Sequence, residues 1–475
     1  MNANRQWTLI FDFGEVLFDW SQPKPTSGLP VHLLKEFISS DTWRQYNCGL
    51  VNDKECYQKL ASQFDITVQD VTGVLEKARS TITLNRDVWD FIKTFKAQHP
   101  GLFRTYAMSN VSATDWHLMQ SLPGYSQEIF DKIFVSCDMR MCKPELRSYR
   151  YLLESTGTDP SWAIFIDNNS ENVMAAQSLG LHGMTFTGLD TLRRELLNIL
   201  GDSVQRGQFF LARNAKRLHS ISENGLKVRE NFTQLLIFEM TKDYSLIDLE
   251  PHKTRWNFFI GEQQLVPGAY PADMDTTCIA LVVLPNNPVV AQVIMEEALQ
   301  LTNPDGIFMT YFDSRRPRTD PMVCVNILRL FYVYGCGDDR ALQPTKDWIR
   351  RTLLYRAYVS GTRYYASPET FLFYLSRLLM ENPGSDISLD LGDLLQERLR
   401  ERINSGGNAI ELAMRILACK ALQLTYNLEE DKRKLLGMQE EDGGWELSWI
   451  CRTGKKGISI GNRGLATALA IQALA

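Results

Sequence analysis

The chain lacks any large excess of basic or acidic residues: Lys plus Arg number 51 and Asp plus Glu 56 in 475 residues, a net charge of −5. Such a balance leaves no electrostatic footprint for nucleic acid, and any anionic ligand must be held by local side chains. Cys-x-x-Cys pairs are also absent. The nine cysteines, at 48, 56, 137, 142, 278, 324, 336, 419 and 451, are scattered and odd in number, which argues against a disulfide framework or a zinc site and leads to the expectation of reduced thiols. No apolar run approaches the ~20 residues that cross a bilayer; stretches such as Cys278 to Leu284 are far shorter, so no membrane insertion is expected. The opening residues Met1 to Arg5 lack the charged, apolar, then small-residue layout of a secretory signal, and the expected location is cytoplasmic. With 44% hydrophobic and 23% charged residues, the composition is that of a globular protein, and the length fits two or three domains at roughly 150 residues each.

Up to about residue 200, short apolar runs alternate with longer amphipathic segments, the pattern of an α/β sheet of Rossmann-like type. Strands are expected at Thr8 to Phe13, Phe103 to Met108, Lys132 to Cys137, Ala163 to Ile166 and Gly183 to Phe186. About 90 residues of mostly helical pattern separate the first two, too many for one crossover, so a helical insertion is expected over about 20–98. From Ser203 to Lys242 the chain reads as polar helix, giving a helical connector over 204–250. Beyond Pro251 the segments read as helical, without further alternation of strands, so an all-α barrel or solenoid is expected over 251–475. A weak internal echo, Asp305-Gly306-Ile307-Phe308 and Asp442-Gly443-Gly444-Trp445, fits stacked repeats.

In the first domain the polar residues fall where strands end. Asp12 and Gly14 follow the first strand, Ser109-Asn110 the second, Lys143-Pro144-Glu145 the third and Asp167-Asn168 the fourth, and the carboxyl edge of an open α/β sheet is where active sites form. This ordered set resembles the haloacid dehalogenase (HAD) superfamily of phosphoryl-transfer enzymes over residues 6 to 200, with the helical insertion as its cap. The resemblance implies that Asp12 is the nucleophile, that Ser109 and Asn110 hold the phosphate oxygens and that Lys143 neutralises charge. It also implies that Asp12, Gly14 and Asp167 mark the Mg²⁺ site. The chemistry is coherent, because a carboxylate approaches a phosphate anion only when cations offset the repulsion. Gly14 is a departure: active phosphatases of the superfamily commonly carry an Asp there as general acid and base.

In the second domain, Tyr270-Pro271-Ala272-Asp273-Met274-Asp275-Thr276-Thr277 precedes an apolar helix. One reading is a helix cap with an acidic first turn; the other is a catalytic acid, since two close carboxyls in a buried pocket cannot both ionise cheaply. The run resembles the Asp-x-Asp-Asp motif of class II terpene cyclases, in the Asp-x-Asp-Thr-Thr form of sesquiterpene cyclases fused to HAD domains. Gln439, Gly443 and Trp445 resemble the Gln-x-x-x-Gly-x-Trp repeat of those helical domains. The resemblance implies Asp275 as proton donor, with Asp273 and Thr276 as its neighbours. Among many aromatic residues, three to five are expected to line an apolar cavity that stabilises carbocations; Phe308, Tyr364 and Trp445 are the candidates for substrate contact. Arg363, with Arg315, Arg316, Arg452, Lys455 and Lys456, is a candidate for holding a diphosphate. The aspartate-rich element of metal-dependent ionisation is missing, since Asp338-Asp339 is followed by Arg340-Ala341-Leu342.

Together the halves resemble HAD-fused drimane sesquiterpene cyclases. That resemblance implies protonation-initiated cyclisation of farnesyl diphosphate to a drimenyl or albicanyl diphosphate, followed by Mg²⁺-dependent phosphate removal, and leaves room for a homodimer. Two alternatives stand beside it. One is a cyclase with a silent HAD scaffold; the other is a small-metabolite phosphatase with a helical interaction module.

Overall fold

The computed structural model describes residues 6–20, 32–250, 254–261, 265, 270–285, 288–453 and 457–475. The chain divides into two compact units, Met1–Arg193 and Arg194–Ala475. No helix among the described residues is long and apolar enough to cross a membrane.

The first unit is built on β1 (Trp7–Phe11), β2 (Phe18–Trp20), β3 (Ile82–Leu84), β4 (Phe103–Ser109), β5 (Lys132–Val135), β6 (Ala163–Asp167) and β7 (His182–Thr185). Five of these form a parallel sheet in the order β5-β4-β1-β6-β7. Its strands carry continuous apolar runs because helices cover both faces of a parallel sheet, and Leu9, Ile10, Ala107, Ile164 and Phe165 are buried. The chain leaves central β1 for β4 on one side and β6 on the other, so the ends of these three strands frame a crevice at the switch point. The antiparallel ribbon β2–β3 leads into and out of the helical insertion, which has its own core of Leu33, Phe37, Trp43, Leu60, Val71 and Leu75. The expected cap extends too far: helix Arg86–Gln98 belongs with the sheet, where Phe95 stacks on Phe103 of β4 and Lys96 donates to Thr105. Cys48, at the end of a cap helix, and Cys142, beside Lys143, lie side by side with their Cα atoms 6.0 Å apart across 94 residues.

The second unit is helix-rich. Its central helices are α1 (Asn231–Thr241), α2 (Met274–Val283), α3 (Pro321–Val333), α4 (Pro368–Glu381), α5 (Ala409–Ala421) and α6 (Arg463–Leu474). Each packs on the next, and α6 packs back on α1. The segment 204–250, expected as a polar connector, contributes to the core of this unit: Phe210, Leu211, Phe232, Leu235, Leu236 and Ile237 are all buried in it. Four short strands were not expected: β8 (Ser220–Ser222), β9 (Lys227–Val228), β10 (Trp449–Thr453) and β11 (Ile458–Gly461) form one sheet in the order β10-β11-β8-β9. The two Asp-Gly echoes make one and the same turn, closed by bridges Thr302–Phe308 and Gln439–Trp445. Gly443 is required there, since its φ is 89° and a Cβ would stand 2.4 Å from the Arg206 carbonyl oxygen.

Candidate active sites

In the first unit the strand ends bring the expected acidic and basic residues into contact. Lys143 Nζ lies 2.9 Å from Asp12 Oδ1 and 2.5 Å from Asp167 Oδ2, and all three side chains are buried. The turn after β1 fixes Asp12, whose Oδ1 accepts from the Phe13 amide at 2.7 Å. Asp167 accepts from the Asn169 amide at 2.8 Å and from Asn172 Nδ2 at 3.0 Å. Burial raises the Asp12 carboxyl above its ordinary pKa; Lys143 opposes the rise and Asp167 adds to it. Burial acts to lower the Lys143 ammonium, but the two carboxylates outweigh it and its pKa is raised. Two carboxylates and one ammonium leave this buried cluster one negative charge in excess. That excess, with two carboxylates on neighbouring strands, suits Mg²⁺, which takes one or two carboxylates and completes its shell with phosphate and water.

Ser109 is buried at the end of β4. Asn110 uses its side chain differently from the expected phosphate contact: Nδ2 donates to the Lys143 carbonyl at 2.8 Å, and Oδ1 accepts from the Lys143 amide at 2.7 Å. It therefore positions the lysine. Gly14 has open space where a Cβ would stand. The neighbouring Glu15 is exposed, and its Oε2 accepts from Asn168 Nδ2 at 3.0 Å. Asn172 and the Asn169 amide were missed; the Asn168-Asn169-Ser170 run after β6, with Asn169 as a helix cap, was the available signal.

In the second unit the two aspartates of the acidic run are used differently. Asp273 is the N-cap of α2, and its Oδ1 accepts from the Thr276 amide at 2.7 Å. Thr276 Oγ1 donates to its Oδ2 at 3.1 Å. Asp275, in the first turn, faces a cavity instead. Its partners are not Asp273 and Thr276, as expected, but Asn326 of α3, whose Nδ2 donates to Oδ1 at 2.7 Å, and Tyr365, whose hydroxyl donates to Oδ2. Capping explains the difference, because it turns Asp273 toward the helix backbone. Burial pushes the Asp273 carboxyl up to about 7, against the Thr276 amide and with the Asp275 charge. Burial also pushes Asp275 up to about 6, against the hydrogen bonds from Tyr365 and Asn326.

The cavity is lined by Phe232, Phe258, Tyr270, Tyr311, Tyr364 and Tyr365 as well as by Asp273, Asp275, Thr276 and Arg452. Tyr364 was expected there, while Phe232, Phe258 and Tyr270 were not among the candidates. Phe308 does not line it; it is buried and stacks on Phe331 at 5.7 Å. Trp445 does not line it either, being wholly buried with Nε1 donating to the Leu435 carbonyl at 2.7 Å. Trp445→Ala is accordingly expected to cost about 3–5 kcal/mol of stability with the product pattern unchanged, as read by a denaturant melt and product analysis. Of the basic candidates, Arg452 lines the cavity. Arg363 is exposed and outside its lining; Arg315 and Arg316 pair with Asp313; Lys455 and Lys456 lie outside the described residues. Asn326 was missed although it is a polar residue in the otherwise apolar run Val323-Cys324-Val325-Asn326-Ile327-Leu328, a readable exception.

Comparison with known proteins bears on both units. The family model of the sesquiterpene cyclase astC-like C-terminal domain matches residues 204–334. The chain is 39% identical over 468 residues to the drimenol cyclase drtB of Aspergillus calidoustus, covering 98% of this chain and 87% of that protein. It is 30% identical over 192 residues to the sesquiterpene phosphatase astK of Aspergillus oryzae, covering 40% of this chain and 95% of that protein. A solved HAD family enzyme from Bacteroides thetaiotaomicron is similar at 20% identity and a TM-score of 0.32, covering 39% of this chain and 96% of that one.

Proposed function

Because the chain belongs to the family of the drimenol cyclase drtB, we propose that it is a bifunctional sesquiterpene synthase, cyclising farnesyl diphosphate in its second unit and removing phosphate in its first. The observation that carries the cyclase reading is a buried carboxyl, Asp275, held at both oxygens by Asn326 and Tyr365 at an aromatic-lined cavity. Burial, by raising the Asp275 carboxyl to about 6, lets it hold its proton to a higher pH than a free carboxyl does. Asp275 delivers that proton to the terminal alkene, and the carbocation closes two rings among aromatic faces in a site from which water is excluded. Loss of a proton then yields a drimenyl or albicanyl diphosphate. Arg452, a basic residue on the cavity wall, would hold the diphosphate. The closed succession of contacts from α1 to α6 supports an α/α barrel as the architecture around this cavity.

In the first unit Asp12 attacks the terminal phosphorus, the bridging P–O bond breaks and the cyclic monophosphate leaves, while Lys143 offsets the charge that builds on the phosphoryl oxygens. The resulting acyl-phosphate is cleaved by water, which regenerates the Asp12 carboxylate. Asp167 and Asp12 would hold Mg²⁺, with the backbone at Gly14 nearby; when bound, the ion supplies further positive charge to the phosphoryl group. Leaving-group protonation is the weak step, since Gly14 stands where the superfamily commonly has an acid. A Cβ at position 14 meets no atom within 4 Å, and Gly14→Asp is expected to raise phosphate release by tenfold or more, within the range of general acid catalysis, as read by a phosphate assay.

The direct test is mass spectrometry of the products from purified protein, farnesyl diphosphate and Mg²⁺. A cyclic monophosphate or alcohol is expected. A cyclic diphosphate alone would make the first unit a scaffold, and unreacted substrate would overturn the cyclase reading.

A further inference from the structure

Below the acid, the interior between α1, α3 and α4 turns from aromatic to charged. On α3, Val323 lines the cavity, Asn326 holds Asp275 and Arg329 comes next at the same spacing of three, so the three residues descend one face of the helix. On α1, Phe232 lines the cavity and Glu239 lies two turns farther on. On α4, Tyr374, with its ring 6.0 Å from that of Tyr365, is succeeded three residues later by Arg377. These charges meet: Arg329 Nη2 donates to Glu239 Oε1 at 2.7 Å, Arg329 Nε donates to Glu381 Oε2 at 2.6 Å, and Arg377 pairs with Glu239.

Folding alone gives a poor account of this cluster. Buried ion pairs are commonly replaceable by apolar side chains of similar volume without loss of stability. Here, moreover, Glu239 Oε2 and Arg329 Nη1 are buried without a hydrogen-bond partner, a cost that well-packed interiors avoid. A hydrocarbon chain, however, cannot advance into such a layer without stripping ions of their partners.

We propose that Arg329, Glu239 and Arg377, a layer one to two helical turns beyond the residues that line the cyclisation cavity, bar the space beneath it as a floor and set the register of the isoprenoid, so that Asp275 meets the terminal double bond and not an internal one. The inference rests on the proposed role of Asp275. With the floor in place the chain end stops at the acid; with the floor lowered it slides deeper by an isoprene unit, and the next double bond takes the proton. That outcome removes one ring from the product of farnesyl diphosphate. It also admits geranylgeranyl diphosphate, with its last unit parked below the acid.

The test compares the full chain with two variants: Arg329→Leu/Arg377→Leu/Glu239→Ala, which empties the floor, and Arg329→Met/Glu239→Gln, which removes one charge of each sign. Each is incubated with farnesyl and with geranylgeranyl diphosphate, and folding is followed by circular dichroism. The first variant is expected to raise the ratio of monocyclic to bicyclic product, and the relative turnover of the longer substrate, by tenfold or more. The second is expected to shift both in the same direction by less. A folded variant that keeps the wild-type ratio on both substrates overturns the proposal, and the second variant decides if the first does not fold. Wild-type protein that gives no cyclic product at all would instead refute the role of Asp275.

Discussion

Asp275→Asn is expected to lower cyclisation of farnesyl diphosphate by on the order of 10³-fold while phosphate release from a simple phosphate ester by the first unit is unchanged. The loss is large because Asp273, the other acid on the cavity wall, has both carboxyl oxygens taken up by the Thr276 amide and hydroxyl as the cap of α2. Asp273→Asn, which keeps a good capping group, is expected to remain folded and to lose less activity. The pH dependence is set by the direction of the shift. The carboxyl of Asp275 is raised to about 6 and is active only when protonated, so kcat/KM for cyclisation is level below about pH 6 and falls roughly tenfold per unit above it. Tyr365→Phe removes a donor that stabilises the carboxylate. It is therefore expected to move this falling limb to higher pH while weakening the acid, at a cost of roughly 10- to 100-fold in rate, the worth of a hydrogen bond to a charged group. A Tyr365 that merely filled space would leave the limb where it was.

These expectations depend on residues that differ in how readily the sequence discloses them. Asp12, Ser109, Lys143 and Asp167 were legible because parallel strands buried on both faces read as apolar runs, and the polar residues at the end of each run must sit at one edge of the sheet. Asp275 was legible through its neighbours in the chain. Its partners were not, since Asn326 and Tyr365 come from 51 and 90 residues away, and nothing in local periodicity announces which helices will face one another. The four-stranded sheet of the second unit was hidden for the same reason: its strands are two to five residues long, and β8 pairs with β11, so that Ile221 lies against Gly461. Trp445 shows the opposite failure. Its motif was plain, but Gln439 donates to the Ser203 and Gly443 carbonyls and Trp445 to that of Leu435, which makes the repeat a brace for a turn and not a wall of the cavity.

Asp12→Asn is expected to abolish phosphate removal, by on the order of 10³-fold or more as for loss of a covalent nucleophile, and to leave cyclisation intact, so that a cyclic diphosphate accumulates. Mass spectrometry of the product and an assay of released phosphate distinguish this from a loss of folding. The charge balance of the site adds a second expectation. Asp12, Asp167 and Lys143 are buried together with one negative charge in excess; replacing Asp12 by an amide leaves one carboxylate facing one ammonium, a balanced pair. The variant is therefore expected to be at least as resistant to denaturant as the wild type in the absence of metal. Lys143→Met removes the same phosphate chemistry by the opposite route. It leaves Asp12 and Asp167 buried at the edge of one sheet with no counter-charge, and breaking a buried pair in this way costs about 3–5 kcal/mol. Two variants equally inactive toward phosphate, one stable and one destabilised, would separate the nucleophile from the residue that neutralises it. Equal stability in the two would mean that the lysine contributes little to holding the carboxylates.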